Sequence, residues 1–354
     1  EYLAQALEIL GGLGDLAGQG TVLNNVGYVY DSMGELEQAL SFYQRALNIA
    51  KEIDDRANQA AILGNIGLIY ENQGRLEDAL HAYEESIRIR ESIRSAAGLE
   101  EFKTSLSEQA TLLYQRAATL RLRLGQPAEA FDLSERARAR TFLDQLGNTR
   151  LDLHSRAERE LAEQEGALRR ELAGLEQQVR KEGSKPGGQR SAQDLQTLSA
   201  QLGQKRQEYE ELLLRIKLNS PEYATLISVS PLNLAEFQQR LDEHTTVVAY
   251  YAAQGELLAF VVGRQNFHVV VLPATPTEVR RTIEEFRSFA DVAGPTPDSL
   301  RRLHDWLIAP IKSHLSTRLV GIIPHGDLHY LPFAALTDGR RYFGDEHVLF
   351  YLPS

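Results

Sequence analysis

The side chains best placed to do chemistry sit near the end of the chain, in Pro324-His325-Gly326-Asp327-Leu328-His329. They follow Arg318-Leu319-Val320-Gly321-Ile322-Ile323, a continuous apolar run of the kind that forms a buried strand. An imidazole at the tip of such a strand can take the proton of a nucleophile, so His325 is a candidate catalytic base. The competing reading is a loop histidine that belongs to the turn itself. His325 and His329 could also begin a zinc site, but no third ligand is in view. The chain has no cysteine, which excludes a thiol nucleophile, thiolate metal sites and disulfides within these residues. No G-x-S-x-G, P-loop lysine or H-E-x-x-H motif occurs. Gly12-Leu13-Gly14-Asp15-Leu16-Ala17 fits a loose G-x-G-x-x-A, but it lies after a helical pattern and not after a strand. No catalytic residue beyond the candidate His325, no metal and no cofactor are expected.

A second set of polar residues recurs with a period, and the period identifies the element that carries them. Asn25-Val26-Gly27-Tyr28-Val29-Tyr30 returns as Asn65-Ile66-Gly67-Leu68-Ile69-Tyr70, Gly34 as Gly74, Ala39-Leu40 as Ala79-Leu80, and Tyr43 as Tyr83. The same offset aligns Ala46-Leu47-Asn48-Ile49 with Ala6-Leu7-Glu8-Ile9. Each position has a physical reason. Glycine inside a helix costs about 1 kcal/mol against alanine, so Gly27 and Gly67 imply a close neighbour. Gly34 and Gly74 end a first helix, Ala39 and Ala79 open a second against it, and Tyr43 and Tyr83 are expected to fill the space between adjacent helix pairs. A looser copy runs from about Glu100 to Leu146, with Gly125 and Ala130 at the Gly34/Ala39 spacing and Pro127 near a helix start.

Helix pairs of this period stack into a superhelix whose first helices line a concave groove. Asn24, Asn25, Tyr28 and Asp31 are expected to face it, with Asn65, Leu68, Glu71 and Asn72 from the next repeat. The asparagines could hold the extended backbone of a partner peptide. Alternatively, Asn25 and Asn65 could cap or bridge neighbouring helices.

Residues 155–218 contain few breakers apart from Glu182-Gly183-Ser184-Lys185-Pro186-Gly187-Gly188. Leu161, Leu168, Leu172, Leu175 and Val179 before it form a heptad-like seam interrupted by Glu165. Leu195, Leu198, Leu202, Tyr209, Leu212 and Ile216 form another after it, interrupted by Lys205. Two such helices read as an antiparallel, coiled-coil-like hairpin, its Arg and Glu residues a solvated face. Beyond Ser220-Pro221 the period changes: residues 246–252, 257–263 and 267–272 read as a meander of three strands. Helical patterns follow at about 277–292 and 298–315, then the strand before His325.

The repeats resemble the tetratricopeptide repeat in a form longer than usual. Their combination with Glu135-Arg136-Ala137-Arg138-Ala139-Arg140, Ser220-Pro221-Glu222-Tyr223-Ala224 and Pro324-His325-Gly326…Leu331-Pro332-Phe333-Ala334-Ala335-Leu336 resembles proteins that carry a CHAT domain. That family is a caspase- and separase-like cysteine peptidase module, found mostly in bacteria. The resemblance implies a multidomain chain: tetratricopeptide repeats over 1–148, a helical hairpin over 149–220, and the N-terminal part of an α/β caspase-like domain over 221–354. It also implies a catalytic His-Gly and Cys on later strands than any present, so the chain is expected to be inactive as it stands. The chain begins at Glu1 inside an amphipathic pattern and finishes on an apolar run, and both ends read as cuts. The expected function is the sensor and scaffold portion of a CHAT-type protease, with a regulator or protein substrate in the groove. The alternatives are a non-enzymatic adaptor with a degenerate CHAT domain, or an unrelated α/β domain.

Composition bounds the partners. The net charge of −11 argues against non-specific nucleic-acid binding, and no apolar run is long enough to span a bilayer. The expected partners are a protein or peptide, not nucleic acid or membrane, with the cytoplasm as compartment.

Overall fold

A computed structural model describes residues 2–96, 105–146, 156–185, 189–219, 232–289 and 298–352. The domain boundaries expected at 148/149 and 220/221, and the Ser220-Pro221 junction, lie outside the described residues. The chain divides into two compact units, Glu1–Tyr114 with Leu143–Ser230, and Gln115–Phe142 with Pro231–Ser354.

The first unit contains α1 (Tyr2–Leu13), α2 (Leu16–Ser32), α3 (Leu36–Glu52), α4 (Arg56–Asn72) and α5 (Leu76–Ala96). Helix starts and stops follow the repeat. Asp15 accepts a hydrogen bond from the Gly18 amide at 2.9 Å, and Asp55 caps α4 in the same way through Asn58 at 3.1 Å. Gly34 and Gly74 adopt φ of +78° and +75°, the left-handed turn that glycine makes at least cost. Tyr43 and Tyr83 lie within a helix pair rather than between pairs. A Cβ on Gly27 would meet the Tyr43 ring at 2.7 Å, and one on Gly67 the Tyr83 ring at 2.5 Å. The close neighbour implied by each mid-helix glycine is therefore the aromatic ring of the following helix.

The hairpin helices α8 (Arg156–Gly183) and α9 (Ala192–Asn219) pack on each other. Glu165, the interruption in the first seam, is buried and accepts a hydrogen bond from the Tyr209 hydroxyl at 2.7 Å. Lys205 pairs with Glu171 and Glu208 at 2.9 and 2.8 Å. The seam also buries a residue of the repeats: Ile53, 2% exposed, sits among Leu172, Val179, Leu195, Leu202 and Tyr209. Arg206 pairs with Asp54 at 2.8 Å and with Glu176 at 2.9 Å. The hairpin's charges are thus not all a solvated face, because Arg206 clamps a repeat turn.

The second unit is built on a five-stranded sheet of order β3-β2-β1-β4-β5. Its strands are β1 (Thr245–Ala253), β2 (Glu256–Gly263), β3 (Phe267–Val271), β4 (Leu319–Ile323) and β5 (Val348–Tyr351). The first three form the expected antiparallel meander. β4 runs parallel to β1, and β5 parallel to β4. The crossover from β3 to β4 is made by α11 (Pro276–Phe289) and α12 (Asp298–Leu307). The second helix stops at Leu307 and gives way to a 3-10 turn, Ala309–His314, because Pro310 has no amide to continue the ladder. On one sheet face Val248, Tyr250, Ala259 and Val261 pack with Val279, Ile283, Leu303 and Leu307. The other face meets α7 (Pro127–Leu146), the helix after α6 (Ser105–Arg123): the Phe131 ring lies 5.5 Å from that of Phe260 and 6.0 Å from that of Phe267. Both faces of β1 are therefore covered, which is why its sequence is apolar without alternation. A short helix, α10 (Leu234–Arg240), precedes β1, and its Leu234 amide donates to Asp132 of α7 at 2.7 Å. Another, α13 (Phe343–Glu346), precedes β5.

Candidate functional site

The groove candidates lie on α2 and α4, the first helices of two successive repeats. Asn24, Tyr28 and Asp31 recur at helical spacing along α2, and Tyr28 stands 63% exposed. The structure joins the two helices through their asparagines. The Asn65 amide nitrogen donates to the Asn24 side-chain oxygen at 3.0 Å. The bridge that was expected to involve Asn25 is made by its neighbour, and Asn25 itself is exposed with no side-chain hydrogen bond among the described residues. Further along, Glu71 accepts a hydrogen bond from the Tyr83 hydroxyl at 2.7 Å. Leu68 is half-buried and Asn72 exposed.

The asparagine bridge leaves chemistry unspent. A side-chain amide offers two N–H donors and an oxygen with two lone pairs. The bond between Asn65 and Asn24 consumes one donor and one acceptor site, and leaves the Asn24 N–H groups and the Asn65 oxygen without partners among the described residues. One donor and one acceptor, side by side on the first helices, match what an extended peptide backbone offers at each residue.

His325 belongs to a different setting in the second unit. It follows β4 and lines a cavity of about 550 Å³ with the Ala252–Gly255 turn, Thr275, Thr277, Arg280 and Asp327. This places the cavity at the carboxyl ends of the parallel strands β1 and β4, where open α/β sheets receive ligands. Its ring meets that of Tyr251 edge-on at 5.1 Å. Burial, with the Arg138 guanidinium and then His329 adding to it, pushes the imidazole down to about 4. Such a ring is neutral near pH 7 and a weak base, whereas a general base works best with a pKa near the operating pH. Among the described lining residues the side-chain hydroxyls are those of Thr275, engaged with Glu278 at 2.7 Å, and Thr277. Arg280 and Asp327 close part of the rim as an ion pair at 2.8 Å. His329 is exposed, and among the described residues no group of three His, Asp or Glu could hold a metal ion. No helix among the described residues is long and apolar enough to cross a membrane.

Comparison with known families attaches names to both units. Residues 1–52 and 18–92 match the Tetratricopeptide repeat family, and residues 297–354 match the CHAT domain. The matches show tetratricopeptide repeats in the first part of the chain and a stretch of CHAT-domain sequence in the last. No curated protein matches the chain. Tetratricopeptide repeats are of a kind that binds proteins or peptides, and the CHAT domain belongs to a caspase-like peptidase family. The CHAT match covers α12, β4, the His325 turn and β5, so His325 sits inside it. β4 lies between β1 and β5 and not at a sheet edge, against the reading of an unrelated α/β domain.

One residue of the second unit was not legible in the sequence as an individual. Arg138, 3% exposed on α7, donates to the Tyr250 carbonyl of β1 at 2.7 Å and pairs with Glu135. Its guanidinium carbon lies 5.7 Å from the centre of the Tyr251 ring. It fastens α7 to the sheet and supplies part of the field that keeps His325 neutral. The legible signal was the unbroken apolar character of residues 247–251, which requires cover on both sheet faces and hence a helix from elsewhere in the chain.

Proposed function

We propose that the repeats hold an extended segment of a partner protein, and that this recognition serves a CHAT-type, caspase-like protease as its sensor and scaffold. The observation that carries the reading is the asparagine bridge, with a donor on Asn24 and an acceptor on Asn65 left unpaired. Tyr28 beside it offers an exposed aromatic face to a bound side chain. The groove candidates comprise Asn24, Asn25, Tyr28, Asp31, Asn65, Leu68, Glu71 and Asn72, with the two bridging asparagines as backbone contacts. The chain contains no cysteine, and the 354 residues are expected to turn over no peptide substrate.

The test is selection of peptides on the full chain from a displayed random library, followed by binding of the selected peptides to variants. Removing both backbone contacts with Asn24→Ala and Asn65→Ala should cost about 2 kcal/mol, or roughly 30-fold in Kd, at about 1 kcal/mol per hydrogen bond. Peptides that bind the double variant as well as the parent would refute the groove. Peptidase turnover that vanishes on His325→Ala would refute the expectation that the chain is silent.

A further inference from the structure

The two repeats differ at one rung of the groove, and the difference is chemical. Tyr43 and Tyr83 occupy equivalent positions, each wholly buried against a mid-helix glycine. In the second repeat the Tyr83 hydroxyl is satisfied by Glu71 at 2.7 Å. The position equivalent to Glu71 in the first repeat is Asp31, one methylene shorter. The Tyr43 hydroxyl is buried there with no hydrogen-bond partner among the described residues, although Asp31 and Tyr28 are the ionisable groups that act on it. A hydroxyl left buried and unpaired forfeits the hydrogen bonds it makes in water, so its persistence calls for an explanation. Asp31 is half-buried and has no ion pair or side-chain hydrogen bond among the described residues. Burial raises the pKa of both groups, as expected where an anion lacks a counter-charge.

We infer that the half-buried Asp31 carboxylate and the exposed Tyr28 ring, above the buried Tyr43 hydroxyl, receive a lysine or arginine side chain of the bound peptide, which makes the first repeat the specificity rung of the groove. The inference rests on the groove reading above. The cation would pair with the Asp31 carboxylate and lie against the exposed Tyr28 ring, an arrangement that aromatic faces favour. The Tyr43 hydroxyl, itself buried, would donate to Asp31 once the cation fixes that carboxylate. In the second repeat Glu71 already satisfies Tyr83, so that rung offers less to a cation. The committed partner is therefore an extended segment with one basic residue in fixed register with the asparagine bridge.

The experiment uses the full chain and the displayed random library. Lysine or arginine should be enriched at a single position. Replacing that residue by norleucine in a synthetic selected peptide should weaken binding about tenfold. The same replacement should have a smaller effect on binding to Asp31→Glu, in which the longer side chain reaches Tyr43 as Glu71 reaches Tyr83, and no effect on binding to Asp31→Asn, which keeps the size and removes the charge. Enriched peptides with no basic position, or a norleucine penalty that survives in Asp31→Asn, would overturn the inference and leave the groove intact. A library that yields no enriched peptide would overturn the groove reading and this inference with it.

Discussion

Replacing Gly67 by alanine puts a methyl carbon 2.5 Å from Cε1 and 2.6 Å from Cδ1 of Tyr83. Two effects of opposite sign then compete. Alanine gains about 1 kcal/mol of helix propensity over glycine, while overpacking a filled core costs about 1–3 kcal/mol. The ring has no easy retreat, because Tyr83 is wholly buried and its hydroxyl is held by Glu71 at 2.7 Å. Moving it weakens a hydrogen bond to a carboxylate, a bond of the stronger class. The clash should win, with a net loss of about 2 kcal/mol. Gly203 is the internal control: it lies mid-helix in α9 with nothing within 4 Å of the position a Cβ would take. Alanine there should stabilise by about 1 kcal/mol. Hydrogen exchange of the α4–α5 and α8–α9 amides reads the two effects locally, and urea unfolding reads the sum. Tyr83→Phe combined with Gly67→Ala unties the ring and should recover part of the loss. A neutral or stabilising Gly67→Ala would show that close approach is not why glycine stands there.

Two further outcomes follow from the same geometry. Ile53→Ala should cost about 2–4 kcal/mol, as for other buried isoleucines, and should raise hydrogen exchange in α8 and α9 together with the α3–α4 turn; unchanged exchange in the hairpin would show that Ile53 does not hold it. His325 has a folded-state pKa of about 4 against an ordinary 6.5. The unfolded chain therefore takes up a proton that the folded one refuses, so stability is full above about pH 6.5 and falls by about 3 kcal/mol as the pH drops to 4. His325→Gln should flatten that window in denaturation profiles, and an identical profile would assign the acid sensitivity to other groups.

Much of the first unit could be read from the chain because its constraints are local and repeated. Gly34, Gly74 and the Asp15/Asp55 caps act within a few residues, so their spacing betrays them. The meander was visible for the same reason, since its turns at Gln254-Gly255 and Arg264-Gln265-Asn266 are short. What escaped was non-local. That Arg206 would reach Asp54, or Arg138 the carbonyl of Tyr250, depends on docking between segments more than a hundred residues apart. The Tyr rings were misplaced for a related reason: a period fixes which positions are equivalent, and not whether a ring turns toward its own helix pair or the next. At the groove, spacing placed the asparagines on one face but could not show that Asn24 rather than Asn25 makes the bridge.

Two of the hairpin's contacts with the repeats fall at corresponding points. Arg190 donates to the Gly14 carbonyl at 3.2 Å, and Arg206 grips Asp54. Gly14 and Asp54 are the same turn in successive repeats, both with left-handed backbone, at φ of +66° and +49°. Aspartate tolerates that conformation less readily than glycine, and the carboxylate it brings is the group Arg206 holds. A stack of helical repeats is mechanically a soft coil that stretches by small rotations at each junction. With a rod fastened to two consecutive turns, rotation at that junction must either shear an arginine contact or drag the hairpin along. The junction between these two turns is splinted, and any elastic response of the solenoid is displaced to its other junctions.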